Sequence, residues 1–455
     1  MKRFLILFAS LLITPLLASC ASGGSGAQSA ETDPGDPHDT SIRETDDVRS
    51  VSLYEGEPFS SEIIQKAIDD CPPGGVVYIP EGTYKIKTAV SVKSDITIRG
   101  DGEKTVLLCD RTLAETDKEA AMLAGNSVSR VAVEDLVFDG DLIDDRNGPL
   151  LSFGFSDDIS ILNCTFRNNR RIAVTCGGCR NVFVSFCTFR DNGLPKPSTI
   201  STPAFWTDTI MDTKSENVTI EDSVFENNNW SGCYFMPDGG AIRRCRFIDN
   251  GESTIFVNGH GNDLEFTDNY ITGARMSNIS CTGIEIGGSR VRVTGNLIEN
   301  CGASGVCLTD TADAEISGNM LLNNGQETAE GWGASVFLYS LGTDSTVGFI
   351  RNVVIRDNVF ADYKGYPFST DTGIGIWKRE TGTPLENVTV TGNTYLIFPK
   401  GLYNCYNAAK VSDAVGESCS FDGNTRIARL TADDRQAFID AQNKRIEEAR
   451  AASDR

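Results

Sequence analysis

One short pattern returns along most of this chain and leaves few folds open to it. A β-branched strand is followed by a turn of two or three residues, then a large apolar residue, then one or two Asn, as in residues 161–169 (ILNCTFRNN) and 218–228 (VTIEDSVFENN). Aligning on the apolar residue gives Phe138, Phe166, Phe189, Phe225, Phe247, Ile271, Ile298, Leu321, Phe360 and Tyr395. The basal spacing is 22–24 residues, with insertions that stretch it to as much as 39. Neither an amphipathic helix nor a hairpin ladder produces that period; a coil of three short strands with loops lengthening on one side does. By length alone 455 residues would suggest about two or three domains, but a solenoid takes up that length as one repeating body.

Two residues before each apolar anchor stand Leu136 in the first, irregular coil, then Cys164, Cys187, Ser223, Cys245, Asn269, Asn296, Asn319, Asn358 and Asn393. Stacked about 4.8 Å apart, these would form an inward ladder at one turn, where an Asn amide satisfies turn backbone that water cannot reach. Cys at the same place reads as a small packed core residue. The sequence holds 14 Cys. Most of these are expected as packed thiols, although a Cys164–Cys187 disulfide is geometrically compatible with adjacent coils. Cys176-Gly177-Gly178-Cys179 is a lone pair with no second pair for zinc and no redox context.

The ends differ from the repeat. In residues 61–73, Ile63, Ile64, Ala67 and Ile68 share one face of a short helix that a Pro pair ends, and residues 74–84 (GGVVYIPEGTY) give strand, turn and strand. This order resembles the N-terminal cap of the pectin-lyase-like superfamily. The fold expected is therefore all-β: a single-stranded, right-handed parallel β-helix of about ten coils over residues 51–425, with an N-terminal capping helix. Residues 426–455 carry a charged C-terminal helix begun by Thr431-Ala432-Asp433-Asp434, expected to cover the last coil and its open edge.

Ahead of the solenoid, Lys2 and Arg3 precede an apolar run too short for an ordinary membrane span, which marks residues 1–19 as a signal peptide. Leu17-Ala18-Ser19-Cys20 resembles the lipobox of bacterial lipoproteins, which implies lipidation of Cys20 and anchorage to the membrane through lipid alone. Residues 20–50 are rich in Gly, Ser, Asp and Thr and read as a flexible tether. An exported protein anchored at the bacterial cell envelope or surface follows, expected as a monomer. With 63 acidic against 41 basic side chains and a net charge of −22, the surface repels nucleic acid and disfavours polyuronates unless a cation or a basic spot offsets it.

Each coil restarts with a short strand after its Asn turn, and alternation there points one set of side chains outward. That set includes Trp206, Asp208, Tyr234, Met236, Phe256, Glu285, Cys307, Thr309, Phe337, Tyr339 and Trp377. Aromatic rings stack on the apolar faces of sugars and carboxyls bond hydroxyls or move protons. Glycoside hydrolysis needs two carboxyls about the scissile bond. Asp208, Asp238, Glu285 and Asp310 are the candidates for that role. Trp206, Asp212, Tyr234, Phe256, Arg290, Phe337, Tyr339, Trp377 and Lys378 are the candidate substrate contacts.

Gly259-His260-Gly261 resembles the G-H-G motif of polygalacturonase-type hydrolases on this fold, which implies a role for His260 with Asp238 one coil below and Arg290 near the family's R-x-K. The match departs from the family because Gly239 follows Asp238 in place of a second Asp and no N-x-D precedes it. Asp36-Pro37-His38-Asp39 repeats a string of mannuronan epimerases on this fold but sits in the tether, where no scaffold holds it, and is read as coincidence. No cofactor is called for, and calcium on turn carboxylates is compatible with the composition. The leading expectation is a glycoside hydrolase acting on a polysaccharide. A lyase or epimerase acting on uronates would need a base with Arg290, Lys378, Arg379 or a metal to offset charge. A non-catalytic glycan-capturing surface protein or adhesin would keep the aromatics without paired acids.

Overall fold

The computed structural model describes residues 48–50, 60–110, 120–143, 148–194, 202–207, 214–257, 259, 261–274, 281–325, 333–342, 346–361, 372–396, 398, 400–406 and 411–453. The segment read as a signal peptide, Cys20, the D-P-H-D string and the segment read as a tether up to residue 47 lie outside them. Three parallel sheets run the length of the body, with 13, 13 and 12 strands, and strands of successive coils are neighbours in each. In every coil the chain passes through sheet A, then B, then C. The order is visible in Arg180–Ser185, Thr188–Arg190 and Phe205–Trp206, or in Ser289–Thr294, Leu297–Glu299 and Val306–Thr309. This is the expected right-handed parallel β-helix, with more coils than the ten that the Asn motif marks. The additional coils near the ends, such as that of Ile96–Arg99 and Thr105–Cys109, lack the motif because their turns carry other residues.

Both outer boundaries move relative to the sequence reading. Val48–Ser50, within the segment read as tether, is the first strand and pairs with Gly75–Tyr78. At the other end Thr425–Ile427 is still a strand of sheet B. Helix α1 (Ser60–Asp70) closes the N-terminal end by burying Ile64, Ala67 and Ile68. Ser61 fixes it there by accepting the backbone N–H of Lys87 and Thr88 at 3.0 and 3.2 Å.

Two corners explain why the repeat tolerates so little variation. Between sheets A and B, a residue in the left-handed region turns the chain: Asn163, Asp222, Asp268, Gly295, Gly318, Asp357 and Gly392 among others. Asn, Asp and Gly accept that backbone at low cost. The next residue is the inward ladder. Asn269 donates its backbone N–H to Asn296 Oδ1 at 2.9 Å, and its Nδ2 reaches the same oxygen at 3.0 Å and the Ile242 carbonyl at 2.8 Å. The same pattern continues through Asn319, Asn358 and Asn393 to Asn424.

A second ladder, at the corner from B to C, links Asn169, Asn192, Asn228 and Asn250. Between the corners the apolar anchors stack inward, with Phe138, Phe166, Phe189, Phe225 and Phe247 at centroid separations of 4.4–5.1 Å.

The described cysteines are all free thiols. The Cys164–Cys187 disulfide is not made, and the reason lies in the turn. Cys164 Sγ donates to Leu162 O at 3.3 Å and Cys187 Sγ to Ser185 O at 3.3 Å, so each thiol serves the backbone of its own turn. Burial pushes Cys187 and Cys245 up to about 12, far from the thiolate that exchange chemistry needs.

Helix α2 (Ala432–Ser453) does not cover the last coil. Residues 398, 400–406 and 411–421 do so, with Phe398 and Ala414 buried in the core and Tyr403 tilted against Phe421 at 4.3 Å. The helix turns back and lies along the outside of sheet B. Leu430, Phe438 and Ile439 pack there on Leu297, Met320 and Leu322. Arg435 pairs with Glu299, Arg445 with Asp268 at 2.8 Å and Arg450 with Asp222 at 2.5 Å, at successively earlier coils. Arg435 is therefore the partner of a sheet B strand residue and Arg445 and Arg450 of acidic turn residues, which gives the helix its place.

Candidate active site

Sheet C assembles the outward column that alternation anticipates. Its strands are in register so that Thr175, Trp206, Tyr234, Phe256, Glu285, Cys307, Phe337 and Gly375 form one row across successive coils. A second row, two residues further along, holds Thr309, Tyr339 and Trp377. Residues separated by as much as 202 positions in sequence thus share one face, because each coil advances the chain by only about 4.8 Å.

The first three rings form a continuous surface. Trp206 and Tyr234 meet edge to face at 6.0 Å, and Tyr234 and Phe256 lie 4.9 Å apart with a 47° tilt. All three are half-buried, so each shows part of a ring. The row then passes to a carboxyl. Glu285 is half-buried and its Oε2 accepts the hydroxyl of Ser253 at 2.5 Å. Burial raises its carboxyl above the ordinary range; the charge of Glu252 adds to the rise and the Ser253 hydrogen bond opposes it. A carboxyl shifted this way retains its proton to higher pH, as a proton donor must.

Beyond Glu285 the expectation of an open aromatic face fails at two positions. Phe337 and Cys307 point away from the coil interior yet are 0% and 1% exposed. They form a separate small core with Ala334, against which Tyr339, Trp377 and Tyr406 pack. Phe337 is therefore packing, and Tyr339 and Trp377, half-buried and 6.2 Å apart, are the rings left at this end. Met236 is also buried.

The remaining candidates disperse. Asp238 does not extend a sheet C strand, because that strand is only Cys233–Tyr234 and the chain turns at Pro237. Asp238 instead opens the sheet A strand Asp238–Arg243, where its carboxylate takes Lys214 Nζ at 3.1 Å and Asn262 Nδ2 at 2.9 Å. Arg290 lies on the same side, its Nε and Nη2 donating to Asp263 at 2.6 and 2.8 Å. Asp310 is a loop clamp, its carboxylate accepting the backbone N–H of Leu341, Gly342 and Phe349 at 2.8, 3.0 and 3.2 Å. Its oxygens are thus occupied by the backbone donors of the following segment. Lys378 is half-buried and donates to the Arg379 carbonyl at 3.3 Å. Asp208, Asp212 and His260 lie outside the described residues. Among the described residues no group of three or more His, Cys, Asp or Glu stands together to hold a metal ion, and no helix is long and apolar enough to cross a membrane.

Sequence reasoning missed the two residues that complete the surroundings of Glu285. Glu252 accepts the Tyr234 hydroxyl at 3.3 Å, and Ser253 holds Glu285. Both precede the strand Ile255–Val257 in the coil next to Glu285. The coil step that pairs Phe256 with Glu285 would have brought them there, had turn residues been carried into the column along with strand residues.

Comparison with known proteins agrees with this architecture. A family model described as a right-handed β-helix region matches residues 96–271 and 241–426. Among curated proteins, the uncharacterized protein YclG of Bacillus subtilis is 21% identical over 319 residues, 60% of this chain and 52% of that protein. Plasmin and fibronectin-binding protein A of Streptococcus pneumoniae is 26% identical over 253 residues, 47% of this chain and 35% of that protein. The chain thus spans about half or less of the length of these relatives.

Of solved structures, the A-module of the mannuronan C-5 epimerase AlgE6 of Azotobacter vinelandii superposes with a TM-score of 0.63 at 16% identity, covering 84% of this chain and all of that one. The pneumococcal surface adhesin PfbA superposes at 0.58 and 18% identity, covering 80% and 93%. The catalytic unit of a GH87 α-1,3-glucanase of Streptomyces thermodiastaticus superposes at 0.53 and 16% identity, covering 86% and 70%. At these identities the likeness is one of fold.

Proposed function

This chain belongs to the right-handed β-helix family, as the resemblance of its N-terminal cap to the pectin-lyase-like superfamily implied, and we propose from that premise that it is a glycoside hydrolase acting on a polysaccharide with Glu285 as proton donor. The observation that carries the reading is the setting of Glu285. It is a carboxyl raised by burial, held by Ser253, and next in register after three rings that present a stacking surface for sugars. The neighbourhood favours protonation of a leaving oxygen over abstraction of a proton beside a uronate. Lyase chemistry needs a cation against the developing anion, and Arg290, the nearest family-like cation in sequence, is paired with Asp263 on sheet A. Export and lipid anchorage through Cys20 belong to the same proposal, and the likeness to a protein described as a surface adhesin is consistent with export.

The test is product analysis on a panel of neutral and acidic polysaccharides. We expect new reducing ends without unsaturated sugars. Glu285→Gln should lower turnover by on the order of 10²–10⁴-fold, the usual contribution of general acid catalysis, with the fold intact by circular dichroism. Activity should fall as pH rises through the raised pKa of Glu285, because the protonated form is the donor. Unsaturated products would replace this reading with a lyase. The similarity to plasmin and fibronectin-binding protein A favours a second reading, a capture protein that uses the same rings. Retention of a glycan with no product would select it.

A further inference from the structure

We propose that Glu252 is the second carboxylate of this site, beside Glu285 at the edge of the aromatic row, and acts as the base toward the attacking water. The inference rests on the hydrolase reading above and adds a residue to it. Its basis is a short chain of contacts between adjacent coils. Tyr234 donates its hydroxyl to Glu252 Oε2 at 3.3 Å, and the next residue, Ser253, donates to Glu285 Oε2 at 2.5 Å. One dipeptide therefore ties both carboxyls to the same edge of the aromatic row.

Glu252 also occupies the left-handed region, with φ of 48°. A non-glycine residue is disfavoured there, and such a backbone tends to be tolerated where position matters. An independent feature points to a polar ligand. Thr254, next in sequence to Ser253, is fully buried, and its hydroxyl has no hydrogen-bond partner among the described residues. The indole N–H of Trp206, at the other end of the three rings, is equally without one. Sugar hydroxyls are the kind of group that such donors bind. The closeness of the two acids is felt electrostatically as well, since the Glu252 charge contributes to the rise at Glu285.

The step balances without further reagents. Glu285 gives its proton to the glycosidic oxygen as the bond from that oxygen to the anomeric carbon breaks, and the bonding pair leaves with the oxygen. A water oxygen bonds to the anomeric carbon and its proton passes to the Glu252 carboxylate. One water is consumed, and the proton returns from Glu252 to Glu285 through solvent. Direct attack by water inverts the anomeric configuration.

The test uses the full chain and two readouts. In protein carrying 13C-labelled Glu carboxyls, the NMR titration midpoint of Glu285 should move down in Glu252→Gln; an unmoved midpoint overturns the pairing, whatever the activity. On a polysaccharide that the wild type cleaves, Glu252→Gln should lose on the order of 10²–10⁴-fold in kcat. Added azide should restore turnover to Glu252→Ala by giving the glycosyl azide. Undiminished hydrolysis in Glu252→Gln, or a wild-type product of retained configuration, overturns the base role. A wild type that cleaves nothing on the panel sinks the hydrolase reading and the base role together, while the titration still judges the pairing separately.

Discussion

The lower and upper halves of this solenoid solve the same turn in different ways. In the coils from Cys164 to Cys245 the corner between sheets A and B holds Cys or Ser; from Asn269 to Asn424 it holds Asn throughout. An Asn amide accepts the backbone N–H of the coil below, donates to a carbonyl, and bonds its neighbours in the stack. A thiol donates weakly to the carbonyls, as Cys245 does to Arg243 O at 3.3 Å, and sulfur is a poor acceptor. The lower half compensates in two places. It carries the second ladder, Asn169 to Asn250, at the next corner, and its inward anchors are stacked Phe rings where the upper half begins with Ile271, Ile298 and Leu321. The coil needs its buried backbone satisfied and its centre filled, and the two demands can be met at different corners by different residues.

The largest effect should come from removing a ring of the lower stack. Phe225 lies between Phe189 at 4.4 Å and Phe247 at 4.7 Å and is completely buried. Phe225→Ala should cost about 3–5 kcal/mol, read from denaturant unfolding, with hydrogen exchange rising first in the coils of Cys187 and Cys245. Equal acceleration in the coils beyond Asn319 would mean that the halves are not distinct in stability.

Next in size is the ladder itself. Asn296→Ala strands the backbone N–H and side-chain amide of Asn269 and frees the Phe266 carbonyl. At about 1–3 kcal/mol for a buried polar group left unsatisfied, the sum should be about 3 kcal/mol or more. The same truncation in the lower half, Cys187→Ala, should cost about 1–2 kcal/mol, since a weak donor and a small volume are lost. Asn296→Cys imports the lower solution into the upper half and should fall between the two. A Cys187→Ala loss as large as that of Asn296→Ala would show that the thiols do the same work as the amides.

These contrasts also mark what the sequence made legible. The ladder at the first corner and the apolar anchors could be read because each coil repeats them at a nearly fixed offset, and Trp206, Tyr234, Phe256 and Glu285 followed from strand alternation. The second Asn ladder went unseen because its residues were counted as part of the same motif, with no separate register. Asp238 and Asp310 were misplaced for a common reason. Alternation holds only within a strand, and both residues lie just past the end of one, after Pro237 for the first and after Thr309 for the second, where Asp310 takes up the backbone of Leu341 and Phe349 instead. Phe337 was misjudged because outward from a coil does not mean exposed when Trp377 and Tyr406 pack over the same face. Glu252 escaped because it belongs to a turn and acts through contacts with the neighbouring coils.

Helix α2 offers the smallest and most selective probe, because the two halves present it with different surfaces. Above, sheet B shows Leu297, Met320 and Leu322 outward and the helix buries them with Phe438 and Ile439. Below, the same face carries Thr165, Arg167, Thr188 and Arg190, and the helix touches that half through the Arg450–Asp222 pair. The helix begins with Thr431 and Asp434 capping each other: Thr431 Oγ1 takes the Asp434 N–H at 3.2 Å, and Asp434 Oδ2 takes the Thr431 N–H at 2.9 Å. Thr431→Ala should cost about 1 kcal/mol of helix stability. Because the apolar contact lies wholly in the upper half, exchange should quicken at Leu297–Glu299 and Met320–Leu322 and stay unchanged at Thr165–Arg167. Faster exchange at Thr165–Arg167 of the same size would mean that α2 braces the solenoid along its whole length, and that the polar lower face is held by the helix as firmly as the apolar upper one.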